Sequence, residues 1–185
     1  MGANLIQQLS LVKDFRTQDG QRHPLWLVLL LVIMGTMSGY TGYRALGDFV
    51  KRHRTALIKS LSITKQRLPS YSTLRRVMMG IDFADFAQIF NSWAQNYVQI
   101  EECEWLAVDG KSIKGTVSDY ASQYQNFVSI VSIFSAKQGM VLRLDKLDNK
   151  QTSEITTVQT LLKALDLEGV VLSLDALHCQ KKPPS

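Results

Sequence analysis

Two segments of this sequence place an aspartate after a short, mostly apolar run: Trp105-Leu-Ala-Val-Asp109 and Val171-Leu-Ser-Leu-Asp175. Such runs read as β-strands, so each aspartate is expected to terminate one. If the two strands are parallel neighbours, both carboxylates lie at one edge of a sheet. Two ionised carboxylates held that close repel, so one must be protonated or a cation must sit between them. A pair of oxygen ligands suits Mg2+ or Mn2+, which can activate a water or hydroxyl nucleophile and stabilise the leaving oxygen in phosphoryl transfer. Strand-ending aspartates also cap helices and make turns, and on the residues alone that alternative stays open.

Lys111 and Lys114 follow Asp109-Gly110 and can pair with phosphates beside such a metal site, or stand as solvated lysines in a turn. His178 and Cys179 follow Asp175, but one His-Cys pair lacks the spacing of a zinc site and reads as structural. Asp119, Asp145, Asp148 and Asp166 are expected in or beside turns. Earlier in the chain, Leu68-Pro69 can turn the backbone and Ser70 or Ser72 can cap a helix, from whose second turn Arg75 and Arg76 project. Arginines so placed are typical phosphate contacts. The competing reading pairs them with Asp82 or Asp85.

The net charge of +5 is the sum of two unlike halves. Residues 1–100 carry 12 Lys/Arg against 5 Asp/Glu, and residues 101–185 carry 9 against 11. The asymmetry suggests two units, 1–100 suited to a polyanion and 101–185 holding carboxylates that a divalent cation could neutralise. The first unit reads as all-helical, with helices at about 4–14, 24–38, 41–53, 55–62, 71–79 and 82–99. In the last of these, Phe83, Phe86, Ala87, Phe90, Trp93, Ala94 and Tyr97 form one apolar stripe, a core face. The second unit reads β-β-β-α-β: strands at Trp105–Val108, Phe127–Phe134 and Met140–Leu144, a helix from about Ser153 to Leu165, and a strand over Val170–Asp175. The near-continuous apolar character of that last strand predicts burial on both faces. The helix before it supplies a crossover, which lets the last strand lie parallel to the first. The fold class expected is therefore α+β.

Cys103 and Cys179 are too few for a disulfide framework and are expected as free thiols in a reducing cytoplasm. The N-terminus lacks the basic, apolar and small-residue order of a signal peptide. Pro24–Tyr43 is 20 residues without a charge, long enough to span a bilayer, but its Gly-, Ser- and Thr-rich tail favours a central buried helix behind Pro24.

Several ordered segments together resemble the H-repeat-associated family of insertion-sequence transposases: Gln21-Arg-His-Pro-Leu25, Leu68-Pro-Ser-Tyr-Ser-Thr-Leu-Arg-Arg76, Ala107-Val-Asp-Gly-Lys-Ser-Ile-Lys-Gly115, Ser153-Glu-Ile-Thr156 before Leu161-Leu162, and Leu174-Asp-Ala-Leu-His-Cys-Gln-Lys181. The resemblance spans nearly the whole chain. It implies a helical transposase-associated domain followed by the N-terminal part of an RNase H-like DDE catalytic domain, which cleaves and transfers DNA strands with Mg2+ or Mn2+. Asp109 and Asp175 match the first two catalytic, metal-binding carboxylates, and Arg75 and Arg76 fall in a motif for which DNA contact is the expectation. The partners implied are double-stranded DNA at transposon ends, further copies of the chain or full-length transposase, in the cytoplasm at the nucleoid and without a membrane. The family's third carboxylate, a glutamate on a later helix, has no counterpart in the ten residues after Asp175. The expectation is a truncated copy that retains DNA affinity and cleaves poorly. Its alternative is a noncatalytic DNA-binding or dimerising regulator.

Overall fold

A computed structural model describes residues 2–97, 101–118, 126–148, 154–163 and 169–174. The chain divides into two compact units, Met1–Ile89 and Phe90–Ser185, the boundary falling inside one helix.

The first unit is organised by a helix with no polar side. Leu25-Trp-Leu-Val-Leu-Leu-Leu-Val-Ile-Met can be stable in water only if surrounded. It forms α2 (Leu25–Met37), with Pro24 just before its first residue and Leu25, Leu27 to Leu31 and Gly35 buried. Its cover comes from α1 (Gly2–Leu9), α3 (Tyr43–Arg52), α4 (Arg54–Ser60) and α5 (Tyr71–Gly80), which contribute Leu9, Leu46, Phe49, Val50, Leu57, Leu74 and Val77 to the same core. Gly35 sets how closely α3 approaches, because a Cβ there would stand 2.6 Å from Leu46 Cδ2 and 3.2 Å from the Phe49 ring. At 13 residues α2 is the buried helix expected; among the described residues no helix is long and apolar enough to cross a membrane.

The helix expected over 4–14 stops at Leu9. The Ser10 hydroxyl bonds back to the Ile6 carbonyl at 2.8 Å, and the chain then winds around Arg16. That guanidinium donates to the Asp14 carboxylate at 2.8 and 2.7 Å, to the Gly20 carbonyl at 3.3 Å and to the His23 carbonyl at 2.9 Å. Its hydrogen bonds hold the Asp14 carboxyl below the usual carboxylate range. Burial, aided by Arg22 and Arg16, pushes the His23 imidazole pKa down. The Gln21–Leu25 segment is thus a structural approach to α2: Gln21 donates to the Arg16 carbonyl, and His23 is buried.

In the second unit β1 (Trp105–Ser118), β2 (Asn126–Ser135), β3 (Met140–Asp148) and β4 (Val171–Ser173) form one sheet in the order β3-β2-β1-β4. β1, β2 and β3 are antiparallel neighbours, while β4 runs parallel to β1 after the crossover through α7 (Glu154–Lys163). The α+β class, the β-β-β-α-β order and the parallel pairing are as the sequence predicts. Leu106, Val108, Val131, Ile133 and Leu142 form the core of the sheet with Val158 of α7.

Two expectations need correction. β1 does not end at Asp109 but continues to Ser118, because β2 supplies partners as far as Ile113 and again at Ser118. Asp145 and Asp148 accordingly lie on β3 rather than in turns. Nor is β4 buried on both faces: Val171 is 37% exposed, whereas Val170, Leu172 and Leu174 pack against the core from the other face.

Both ends of the sheet are held by polar side chains. On α6 (Phe83–Gln95), buried Asn91 accepts from the Leu144 amide at 2.9 Å and donates to the Leu144 carbonyl at 3.0 Å, acting as a one-residue strand partner along the outer edge of β3. An apolar residue there would leave both main-chain groups unsatisfied, at about 1–3 kcal/mol each. At the start of β1, Glu104 is 5% exposed, accepts from the Ser135 hydroxyl that ends β2 and from the Glu101 amide at 3.1 Å, and offers its main-chain carbonyl to the Val171 amide at 2.9 Å. The Ser135 hydrogen bond chiefly, then the Glu101 amide, lowers the Glu104 pKa from its ordinary 4.5. A depressed carboxylate stabilises the fold above its unfolded pKa, and that contribution is lost as pH falls through the folded value. Urea midpoints followed from neutral pH down to about pH 3 should therefore decline for the native protein, and Glu104→Gln should be less stable at neutral pH with a shallower decline.

Candidate functional site

Alternation along β1 sorts its side chains onto two faces. Leu106 and Val108 enter the core, whereas Trp105, Asp109, Lys111 and Ile113 are exposed, Trp105 at 64%. Asp109 stands opposite Ser132 of β2, two residues beyond Ala107, where the described pairing with β4 ends. Its carboxylate has neither a hydrogen bond nor an ion pair among the described residues. Its oxygens are thus presented to solvent from a rigid strand, an arrangement suited to an external cation. Lys111 lies on the same strand and face, two residues farther along, and not in a turn. Lys114 also belongs to β1.

Asp175, His178 and Cys179 lie outside the described residues, as do Asp119 and Asp166. The described part of β4 keeps a regular register on β1. Trp105 pairs with Val171, Leu106 with Leu172 and Ala107 with Ser173, a constant offset of 66 positions. Asp109 and Asp175 are separated by the same 66 positions in the sequence. Among the described residues no three His, Cys, Asp or Glu side chains gather so that they could hold a metal ion.

A second group of expected residues lies in the first unit. Ser70 stands at the N-cap of α5, but its hydroxyl bonds the Ser72 and Thr73 hydroxyls at 2.9 and 3.3 Å rather than capping a backbone amide. Arg75 and Arg76 are exposed on α5 and line a cavity of about 550 Å³ with Tyr43, Arg44, Tyr71 and Ser72. They are not paired with Asp82, whose carboxylate accepts instead from the Ala84 amide at 2.8 Å and the Asp85 amide at 3.4 Å at the start of α6. Tyr43, Arg44 and Tyr71 were not singled out by the sequence, where Tyr43 merely closes the uncharged Pro24–Tyr43 segment and Tyr71 sits inside the Leu68–Arg76 motif. Only their exposure on the folded surface sets them apart.

The DDE_Tnp_1-associated family model matches residues 6–94. Over 178 residues the chain is 31% identical to "Putative transposase YncI" of Escherichia coli O157:H7, covering 96% of this chain and 45% of that protein. It is 30% identical over 177 residues to "H repeat-associated putative transposase YbfD" of Escherichia coli K12, covering 96% of this chain and 68% of the relative. YncI of the K12 strain is 30% identical over 178 residues, covering 96% and 70%. The chain thus spans about half the length of the first relative and some two thirds of the other two.

Because Asp109 is exposed and unbonded, removing its charge should leave the fold intact. Asp109→Asn is expected to change unfolding free energy by no more than about 0.5 kcal/mol, measured by urea titration. A larger loss would assign the carboxylate a structural role.

Proposed function

Because the chain belongs to the H-repeat-associated transposase family, we propose that it supplies the helical domain and the first two catalytic carboxylates of a metal-dependent DNA strand-cleavage and transfer site. The observation that carries this reading is the register of β4 on β1. Continued by two residues, the offset of 66 would set Asp175 beside Asp109 on neighbouring parallel strands. The sheet order β3-β2-β1-β4 with a crossover helix supports an RNase H-like reading of the second unit. Asp109 and Asp175 would hold the ion, and the oxygen-donor chemistry of the pair fits Mg2+ or Mn2+. When bound, the ion polarises a phosphoryl oxygen and lowers the pKa of a nucleophilic water or hydroxyl. The chain's own contribution is placement: the β1–β2 ladder fixes Asp109, and Lys111 and Lys114 on the same strand supply positive charge for a phosphodiester.

The first unit, with its excess of basic residues, is proposed to hold the DNA backbone through Arg75 and Arg76. The third carboxylate implied by the family resemblance would complete the metal site begun by Asp109 and Asp175. The charge of the first unit also favours a second reading, a noncatalytic DNA-binding regulator that occupies the same ends.

Two measurements test these assignments. Mn2+ binding followed by electron paramagnetic resonance should weaken by at least tenfold in both Asp109→Asn and Asp175→Asn; native affinity in either variant would remove that residue from the metal site. Duplex binding by the chain should weaken with salt, and replacing both Arg75 and Arg76 by Ala should flatten the slope of log K against log salt by roughly 1–2. Salt-insensitive binding would sink the assignment of DNA contact.

A further inference from the structure

The cavity around Arg75 and Arg76 has a neighbour. Arg44 and Tyr71 also line a second cavity of about 610 Å³ with Asp48, Lys51 and Arg54, so the two lie side by side in the groove between α3 and α5. Five cationic side chains face this groove against one carboxylate, Asp48. Arg44, Lys51, Arg75 and Arg76 make no ion pair among the described residues. Phosphate contact alone accounts for the cations but not for the tyrosines. Tyr43 is 37% and Tyr71 52% exposed, and neither ring meets another aromatic ring among the described residues.

The backbone beneath Tyr71 is fixed by close packing. A Cβ on Gly47 of α3 would stand 2.6 Å from the Tyr71 Cβ and 3.3 Å from its Cα, so glycine is what lets α3 lie against the first residue of α5. The Tyr71 backbone is thus seated against α3 while about half of the side chain stays open to solvent. A cationic groove with exposed aromatic rings is the arrangement that recognises single strands, since every base offers a π-face once unpaired.

We propose that the α3–α5 groove binds a DNA strand with unpaired bases, Tyr43 and Tyr71 stacking on bases while Arg44, Arg75 and Arg76 hold the phosphodiesters. This rests on the reading of the first unit as DNA-binding and adds the form of DNA it prefers. The test is fluorescence anisotropy of the whole chain with labelled oligo-dT and with a blunt duplex of equal length, at one salt concentration. The native chain should bind oligo-dT more tightly than duplex. Tyr71→Ala and Tyr43→Ala should each weaken oligo-dT binding on the order of 5- to 100-fold while shifting duplex binding less than twofold, and Tyr71→Phe should retain native affinity. Circular dichroism melting checks each variant, and Tyr43→Ala carries the comparison if Tyr71→Ala melts early. Unchanged oligo-dT affinity in the alanine variants, or an equal loss on duplex, overturns the single-strand proposal and leaves the DNA-binding reading standing. No binding of either DNA by the native chain overturns both.

Discussion

The parallel pairing of β4 with β1 is the constraint on which the second unit depends. Parallel neighbours cannot be joined by a hairpin, so the chain must leave the sheet, cross a face and return. α7 is that crossing, and Val158 on it closes the same core as Leu106, Val108, Val131 and Ile133. The start of the pairing is reinforced beyond the strand itself: the Cys103 amide donates to the Gly169 carbonyl at 2.6 Å and the Val171 amide to the Glu104 carbonyl at 2.9 Å. Cys103 adopts a positive φ of 62° there, a conformation costly for a non-glycine residue and sustained by the surrounding hydrogen bonds. Glu104 then ties the same point to the end of β2 through Ser135. Glu104 thus joins the beginnings of β1 and β4 to the end of β2, its main-chain carbonyl holding β4 and its buried carboxylate holding Ser135.

Much of this was legible in the sequence because its signals were periodic. The aromatic stripe of α6, the uniform apolarity of α2 and the short apolar runs of the sheet each select one kind of element, and the helix between the third and fourth strands was enough to imply parallel pairing. What escaped was governed by partners distant in sequence. β1 continues past Gly110 because β2 pairs with Lys111, Ser112 and Ile113, residues whose own sequence looks like a turn. β4 looked doubly buried by composition, yet the exposure of Val171 depends on what covers that face, which no property of Val171 encodes.

The site was legible in a similar, partial way. Aspartates after apolar runs singled out Asp109 as a candidate, and the structure places it on an exposed strand face with its carboxylate oxygens unengaged among the described residues. Asp175, the other candidate, lies outside the described residues. Glu104, by contrast, was not singled out by the sequence, because its importance comes from Ser135, 31 positions away. Nor did the sequence show that Tyr43 and Tyr71 are exposed, since nothing in a tyrosine's own identity tells a surface ring from a core one.

The absence of a polar side on α2 has a consequence for when its backbone can open. A helix with a solvent-facing stripe frays turn by turn, exchanging its amide hydrogens without disturbing its neighbours. α2 has no such stripe: Val28 and Leu31 are fully inaccessible and Leu29 nearly so, with cover drawn from helices before and after it in the chain. Opening any central turn of α2 breaks contacts with several of them at once, so the amides of Val28 to Leu31 report the global stability of the first unit rather than local fluctuation. In the isotope-exchange sense, α2 is that unit's slowest clock.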